Sequence, residues 1–397
     1  MGDKSDPYEK FGLRRVVNAS TSMTRLGGSM PRPEVFRAME EASRAFIRIP
    51  ELQVWAGRRI AEAFGVEAGL TTAGGSNGIT LAAAACIMRG TELEGYDPLE
   101  PQTWIPVAQR LPMHTEGLKT EFIIQRSTRS EYDHALECAG GTLVEAGSEK
   151  GATPEDLEEA FDPQRTAAYH YTVTASKDRL PLEDVVRIAH ERGVPVTVDA
   201  APHLTHKEVP RVLLDIGVDL VSFSGGKHLG GLNNTGILVG RADLVKLAHL
   251  QSYPFDGIGR GAKMSREMIV GLVKAVELFV GRDDNSFYTA LEKRSFELSD
   301  KLSTIPGVSS GVIYEPSVIE GVLGPSYAYI TLDEGANIPL RELHGRLREG
   351  EPPVEALYEP FFVTPEAAGK ITIKAEYLLE GDDEIILDRV AKILGEK

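Results

Sequence analysis

Cysteine is almost missing from this sequence: Cys86 and Cys138 are the only two in 397 residues. Two thiols in so long a chain make no disulfide framework. Cys86 lies in the run Leu81-Ala-Ala-Ala-Ala-Cys86 and reads as a small buried hydrophobe. Long apolar stretches are missing too. The longest is about half of a membrane span, so no membrane association is expected. The first residues, Met1-Gly-Asp-Lys-Ser-Asp6, carry no hydrophobic signal segment, and a cytoplasmic protein is expected. Positive charge is in deficit: 43 Lys and Arg stand against 59 Asp and Glu, a net charge of −16. That balance argues against a nucleic-acid backbone as the main partner. Low-complexity segments and repeats are absent, and no metal site is expected. What the chain does have is 42% hydrophobic residues, ample for one large core or two domains.

The most informative stretch runs from Val218 to Gly240. It opens as an apolar run, Asp219-Leu-Val-Ser-Phe223, suited to a buried strand. The run stops at Ser224-Gly225-Gly226, and Lys227 and His228 follow at once. Glycines let backbone turn tightly and pass close to a planar ligand. The implied geometry is a lysine amine at a strand end in a crowded cleft, where it can lose its proton and form a Schiff base. An ordinary surface loop is the alternative. Upstream, Val194-Pro-Val-Thr-Val-Asp199 is another apolar strand that ends in a carboxylate, with His203 just beyond. A helical segment with Val209, Val212, Leu213 and Ile216 lies between them. In a right-handed βαβ unit, Asp199 and Lys227 then reach the same sheet edge. That pair matches pyridoxal phosphate (PLP): the lysine carries the cofactor, and the aspartate keeps the pyridine nitrogen protonated.

Taken in order, the chain supplies further parts. The loop Thr21–Pro31 is rich in glycine and hydroxyls and contains Arg25; it either lines a neighbouring subunit's site or only connects. Val35, Met39, Ala42 and Phe46 recur at helical spacing, and a second helix is predicted over 52–64. Leu70-Thr-Thr-Ala-Gly74-Gly75-Ser76-Asn77-Gly78 opens directly into an alanine-rich helix. Backbone N–H groups and the dipole at such a start form an anion site, to which Ser76 and Asn77 add donors. A flexible turn capping a core helix is the alternative. The polar turn Gln125–His134 offers Arg126, Arg129 and His134 for substrate. Phe255–Arg266, containing Arg260 and Lys263, is a second candidate anion site. Strands alternating with helices indicate an α/β fold with a mainly parallel sheet. From Phe287 onward helices and strands build a smaller α+β domain, with strands near 308–314, 326–332 and 371–378. The expected domains are an N-terminal segment (1–50), a large cofactor domain (51–255) and a small C-terminal domain including the linking helix (256–397).

With these parts assembled, the chain resembles a PLP enzyme of the aspartate-aminotransferase fold. It is most similar to the selenocysteine synthase-like group, which includes D-glucosaminate-6-phosphate ammonia-lyases. The resemblance rests on Val17-Asn-Ala-Ser20, Leu26-Gly-Gly-Ser29, the Thr72–Gly78 loop, Val198-Asp199-Ala-Ala201, Ser224-Gly-Gly-Lys227, Gly259-Arg-Gly-Ala-Lys263 and Arg348-Glu-Gly-Glu-Pro-Pro-Val354. It implies that Lys227 carries PLP, that Asp199 pairs with the ring nitrogen, and that residues 74–77 hold the phosphate, with Ser224 and His203 alongside. It also implies a homodimer or higher homo-oligomer. Two departures stand out. Lyase-like members carry a histidine near Thr128, able to stack on the ring. Selenocysteine synthases carry an Asp-Leu-Arg signature where this chain has Ile373-Lys374-Ala375-Glu376. That leaves Lys374 as the local substrate candidate and weakens the selenium-transfer reading.

The expected reaction is α,β-elimination from a hydroxylated amino acid or amino-sugar acid, giving a 2-keto acid and ammonia. Lys227 would act as base at Cα, and His203 or His228 would serve as acid at the leaving group. An aldolase, a racemase and a selenium transferase are the alternatives within enzymes. A non-catalytic binding relative is the alternative outside them, disfavoured by the intact Asp199 and Lys227.

Overall fold

The computed structural model describes residues 6–100, 102–174, 179–358 and 364–396. Its chain divides into two compact units, residues 1–26 with 283–397 and residues 27–282. The first strand, β1 (Val17–Asn18), belongs to the smaller unit. The larger unit holds a seven-stranded sheet: β2 (Ala68–Thr72), β3 (Glu121–Gln125), β4 (Thr142–Ala146), β5 (Thr166–Thr172), β6 (Val196–Asp199), β7 (Leu220–Ser224) and β8 (Gly236–Gly240). Their order is β2-β8-β7-β6-β5-β3-β4. All neighbours are parallel except β8, which runs antiparallel to both β2 and β7. The expected α/β architecture with a mainly parallel sheet is what forms.

Strands β5, β6 and β8 are buried along their whole length, as continuous apolar runs in a doubly covered sheet require. One face is covered by the helix Gly75–Met88, which packs on β6, β7 and β8 and beneath the helix Ala242–Gln251. Its four consecutive alanines, Ala82 to Ala85, are small enough for both neighbours to approach, so it is apolar all round and buried. Cys86 is one of these core residues, and burial pushes its thiol up to about 12.

The smaller unit is built on an antiparallel sheet of β9 (Val308–Tyr314), β10 (Ser326–Leu332) and a third strand, with order third-β10-β9. In chain order β11 (Val354–Glu355) comes next and pairs in parallel with β1, so the N-terminal segment through Leu26 is part of this unit. The third strand, β12 (Ile371–Ile373), is short. The sequence predicts a strand over 371–378, but β12 ends at Ile373. The backbone then leaves the sheet because other groups take its hydrogen bonds. Lys374 N–H donates to Ala19 O, and Arg294 donates to the carbonyls of Ala375 and Leu378.

Two other expectations differ. The helix predicted through Phe46 ends at Ala42, and Phe46 is 96% exposed with the Arg266 guanidinium over its ring. The helix Arg266–Val280, grouped by sequence with the C-terminal domain, packs on the helices Pro33–Ala42 and Ile49–Phe64 of the larger unit. Its apolar face, with Ile269, Leu272, Val273 and Val276, is buried there. Among the described residues no helix is long and apolar enough to cross a membrane.

Candidate active site

Asp199 is the last residue of β6, in register with Ser222 of the parallel strand β7. Its side chain is 6% exposed, and Oδ1 accepts the Ala201 N–H at 2.9 Å. Burial outweighs that bond and raises the carboxyl to about 6. The turn after it is fixed by His203 N–H to Ala200 O (2.9 Å). The His203 ring lies 3.0 Å from Val173 O through Nε2, so Nε2 carries the proton and donates.

The turn after β7 carries Lys227. It is closed by Gly225 N–H to Thr235 O at 2.7 Å, by Gly231 N–H to Gly225 O at 2.8 Å and by Gly230 N–H to Lys227 O at 3.0 Å. A Cβ on Gly225 would stand 2.2 Å from Thr235 Oγ1, so a glycine is required there. Ser29 ties the preceding segment onto this turn, donating from its N–H to Gly226 O (2.8 Å) and from its hydroxyl to Gly231 O (2.7 Å). His228, next to the lysine, is buried.

The third part is the start of the helix Gly75–Met88. Gly74 caps it with φ 96°, a left-handed conformation natural to glycine, and no side chain caps its first-turn N–H groups. Asn77 Oδ1 accepts the Ala73 N–H at 3.2 Å and closes the loop. The helix start touches both strand-end turns. A Cβ on Gly75 would lie 3.1 Å from Ala201 Cβ and 3.5 Å from Ser224 Cβ, and the Ser222 hydroxyl donates to Gly75 O at 2.8 Å. Residues 74–77, Asp199 and the Lys227 turn therefore meet at one sheet edge, the carboxyl edge where open α/β sheets bind ligands. Ser224 sits among them, with its N–H donated to Ala201 O at 3.1 Å.

The packing here yields a stability test. A Cβ on Gly78 would stand 2.3 Å from Ser222 Oγ. Gly78→Ala is expected to push the Ser222 hydroxyl off Gly75 and lower stability by about 1–3 kcal/mol, as overpacking does. A melting temperature unchanged from the parent would contradict this packing.

The other sequence candidates have surroundings of their own. Arg126 faces Glu145 (3.8 Å) and Glu149 (3.5 Å), and Arg129 pairs with Asp133 at 2.8 Å and with Glu145. His134 is exposed against Glu137. Arg260 binds Asp256 at 3.0 Å and lies over the Tyr253 ring; Lys263 is exposed. In the smaller unit, Arg25 stands 3.9 Å from Glu355. Lys374 is 2% exposed, with its amine 3.7 Å from Glu315 and 3.5 Å from Glu376, so its charge is already answered. Thr128 is buried and donates to Gln125 O, which leaves a hydroxyl where a stacking ring was sought.

Sequence reading passed over a row of polar residues beside Asp199: His170, Thr172 and Thr197. The signal was present, because polar residues at every second position of an otherwise apolar strand share one face. Ser222 and Ser224 on β7 follow the same pattern.

The sequence model of the SelA family, described as L-seryl-tRNA selenium transferase, matches residues 132–289. A Streptomyces protein, 5'-C-glycyluridine monooxygenase-decarboxylase, is 31% identical over 325 residues, spanning 80% of this chain and 76% of its own. The D-glucosaminate-6-phosphate ammonia lyase of Salmonella typhimurium is 32% identical over 277 residues, 68% of this chain and 69% of its own. A solved structure of D-glucosaminate-6-phosphate ammonia-lyase superposes with a TM-score of 0.80 at 25% identity, covering 99% of this chain and 100% of that one.

Proposed function

This chain belongs to the selenocysteine synthase-like group of PLP-dependent enzymes, and from that premise we propose that it is an ammonia-lyase acting on a 2-amino-3-hydroxy acid of the sugar-acid type. The observation that carries this is the meeting of Gly75 with Ala201 and Ser224, which gathers an uncapped helix start, a buried carboxylate and a lysine turn at one edge. These residues fit PLP. The first-turn N–H groups of 75–77 and the Ser76 hydroxyl suit its phosphate. Asp199, buried and raised to about 6, gains most from a cationic partner such as a protonated ring nitrogen. The Lys227 amine suits its aldehyde. When bound, PLP supplies a carbonyl that condenses with amines and a ring that withdraws electrons from Cα.

The chain's own residues do the rest. Lys227 would anchor the cofactor, and its free amine would take the proton from Cα. Asp199 would hold the ring nitrogen protonated. His203 and His228 stand at the two turns and are the candidate acids for the departing β-hydroxyl, with the His203 Nε2–H donated to Val173 O. Water leaves across Cα and Cβ, and hydrolysis of the enamine then returns one water and frees ammonia. The net change is loss of ammonia and gain of a 2-keto group.

The match to a monooxygenase-decarboxylase over 80% of this chain favours a second reading, in which the substrate loses carbon dioxide and dioxygen is consumed. One experiment separates the two. The PLP-loaded protein is incubated with a panel of amino-sugar acids, phosphorylated and not, and with 3-hydroxy amino acids. Equal yields of ammonia and 2-keto acid, with no oxygen uptake, are expected. Oxygen uptake with carbon dioxide release, or aldehyde with glycine and no ammonia, would overturn the lyase reading.

A further inference from the structure

A cavity of about 290 Å³ opens on the larger unit, away from the site described above. Its walls come from the amino end of the sheet: Lys119, two residues ahead of β3, and Ala167, near the start of β5. The far end of the helix Gly75–Met88 adds Cys86, and Arg89 and Glu94 follow from the segment after it. Strands β3, β5 and β6 run parallel, so this edge is the opposite one from that where Asp199 and the Lys227 turn meet.

The charge around this cavity is unusual for so acidic a chain. Carboxylates outnumber cations by 59 to 43, and Arg126, Arg129, Arg241 and Arg260 each face one. Among the described residues, neither Arg89 nor Lys119 has a carboxylate within ion-pair distance. Arg89 Nη2 donates to Gly193 O at 3.0 Å, which leaves most of the guanidinium's five donors uncommitted. Lys246 reaches the same wall, its amine donating to Glu94 O at 2.7 Å, and it too lacks a carboxylate. The one acid, Glu94, accepts the Gly90 N–H at Oε1 (2.7 Å). Cys86 is 3% exposed, and its thiol, pushed up to about 12 by burial, stays neutral. Three cations against one carboxylate leave a surplus of two positive charges. The helix end answers only part of it. A macrodipole presents about half a negative charge there, and Met88 O is already taken by the Thr91 hydroxyl at 2.6 Å.

We propose that this cavity binds a phosphate dianion, free or as the monoester of a small metabolite, between Arg89 and Lys119. Charge decides the class, because a dianion cancels the surplus and a single carboxylate leaves half of it. The donors agree: a guanidinium fork matches two phosphate oxygens, and a lysine adds a point charge. Size agrees as well. The cavity lies at the small end of ligand pockets, which run from about 300 to 1,000 Å³, with room for a phosphate and a small substituent. The helix of 14 residues sets this site about 20 Å from its start at Gly75, so one phosphate group cannot serve both ends. The inference goes beyond the lyase reading and does not depend on it.

The test is equilibrium dialysis of PLP-loaded protein against radiolabelled inorganic phosphate, with chloride held at about 0.1 M so that bulk charge is screened. PLP keeps residues 74–77 occupied. One phosphate per chain is expected to bind saturably, with a dissociation constant on the order of 1 mM or tighter. Lys119→Glu should abolish binding, Arg89→Gln should weaken it at least about tenfold, and Lys119→Arg should stay within about threefold of the parent. Lys119 is exposed, so its variants should melt like the parent in phosphate-free buffer. Should Arg89→Gln fail to fold, Lys246→Gln supplies the second arm. Competition by glucose 6-phosphate at equal or lower concentration assigns the site to a phosphorylated metabolite, and its failure to compete assigns it to the free ion. No saturable phosphate, or phosphate held equally by parent and Lys119→Glu, overturns the inference. If the protein takes up no PLP, the cofactor reading fails, and the loss of phosphate in Lys119→Glu still decides this one.

Discussion

Lys227→Ala is expected to remove the visible absorption of the PLP-loaded protein and to lower kcat/KM by at least ~10^4-fold, the scale lost when one group serves as both nucleophile and base. The size follows from the position. Lys227 sits in a turn closed by Gly225–Thr235 and Gly230–Lys227 hydrogen bonds, which fix the backbone that carries its amine. Lys227→Arg makes the sharper control. A guanidinium keeps the charge but does not give up its proton in a protein. It should be as inactive as alanine, although the phosphate contacts proposed for residues 74–77 would still hold PLP. Melting of both variants without cofactor should match the parent. A visible band that survives in Lys227→Ala, or more than a tenth of parent activity in either variant, would remove Lys227 from the chemistry.

The second large effect is expected at Asp199, and it has opposite signs in the two states of the protein. Without cofactor the carboxyl is raised by burial to about 6, against an ordinary value near 3.9 in an unfolded chain. The folded state then holds its proton more tightly. This contribution to stability is fully present below about pH 4 and is lost as pH rises through about 6. Above that, a bare buried charge opposes folding, and Asp199→Asn removes it. Cofactor-free Asp199→Asn should be more stable than the parent at pH 8 by on the order of 2 kcal/mol, and no more stable at pH 4. With PLP bound the charge has a partner, and breaking a buried pair costs about 3–5 kcal/mol. Activity should therefore fall by roughly 10^2–10^3.5-fold at about 1.4 kcal/mol per decade. Denaturation of the cofactor-free protein at the two pH values checks the first half, and steady-state kinetics the second. An asparagine variant less stable than the parent at pH 8 would place Asp199 in a structural role.

The site's centre was legible because its parts end strands. An apolar run that stops at a carboxylate or at Gly-Gly-Lys declares both the strand and the edge, as at Asp199 and Lys227. The alanine-rich helix was legible for the same reason: Gly74-Gly75 stops a strand and Ala82–Ala85 can only be core. Periodicity failed where backbone partners decided. Ile371 onward reads as a long strand, but Arg294, far away in sequence, claims the carbonyls of Ala375 and Leu378. Phe46 fits a helical stripe, yet the helix that would carry it stops at Ala42. The cationic substrate candidates could not be judged from sequence either. Arg129 and Lys374 look available until Asp133, Glu145, Glu315 and Glu376 fold against them. The substrate's own anchor is not written in a motif, since it depends on which charges the fold leaves unanswered.

The antiparallel strand β8 also separates the site's parts by chain distance. The lysine turn is bounded by two adjacent antiparallel strands and closes locally, Gly225 to Thr235. The helix start proposed to hold the phosphate is tied down by the Ser222–Gly75 bond, across 147 residues. Loop-closure entropy makes the first contact cheap and early and the second slow, dependent on the sheet between them. With the proposed roles of Lys227 and residues 74–77, retention of PLP would belong to the completed sheet, which brings together segments 147 residues apart.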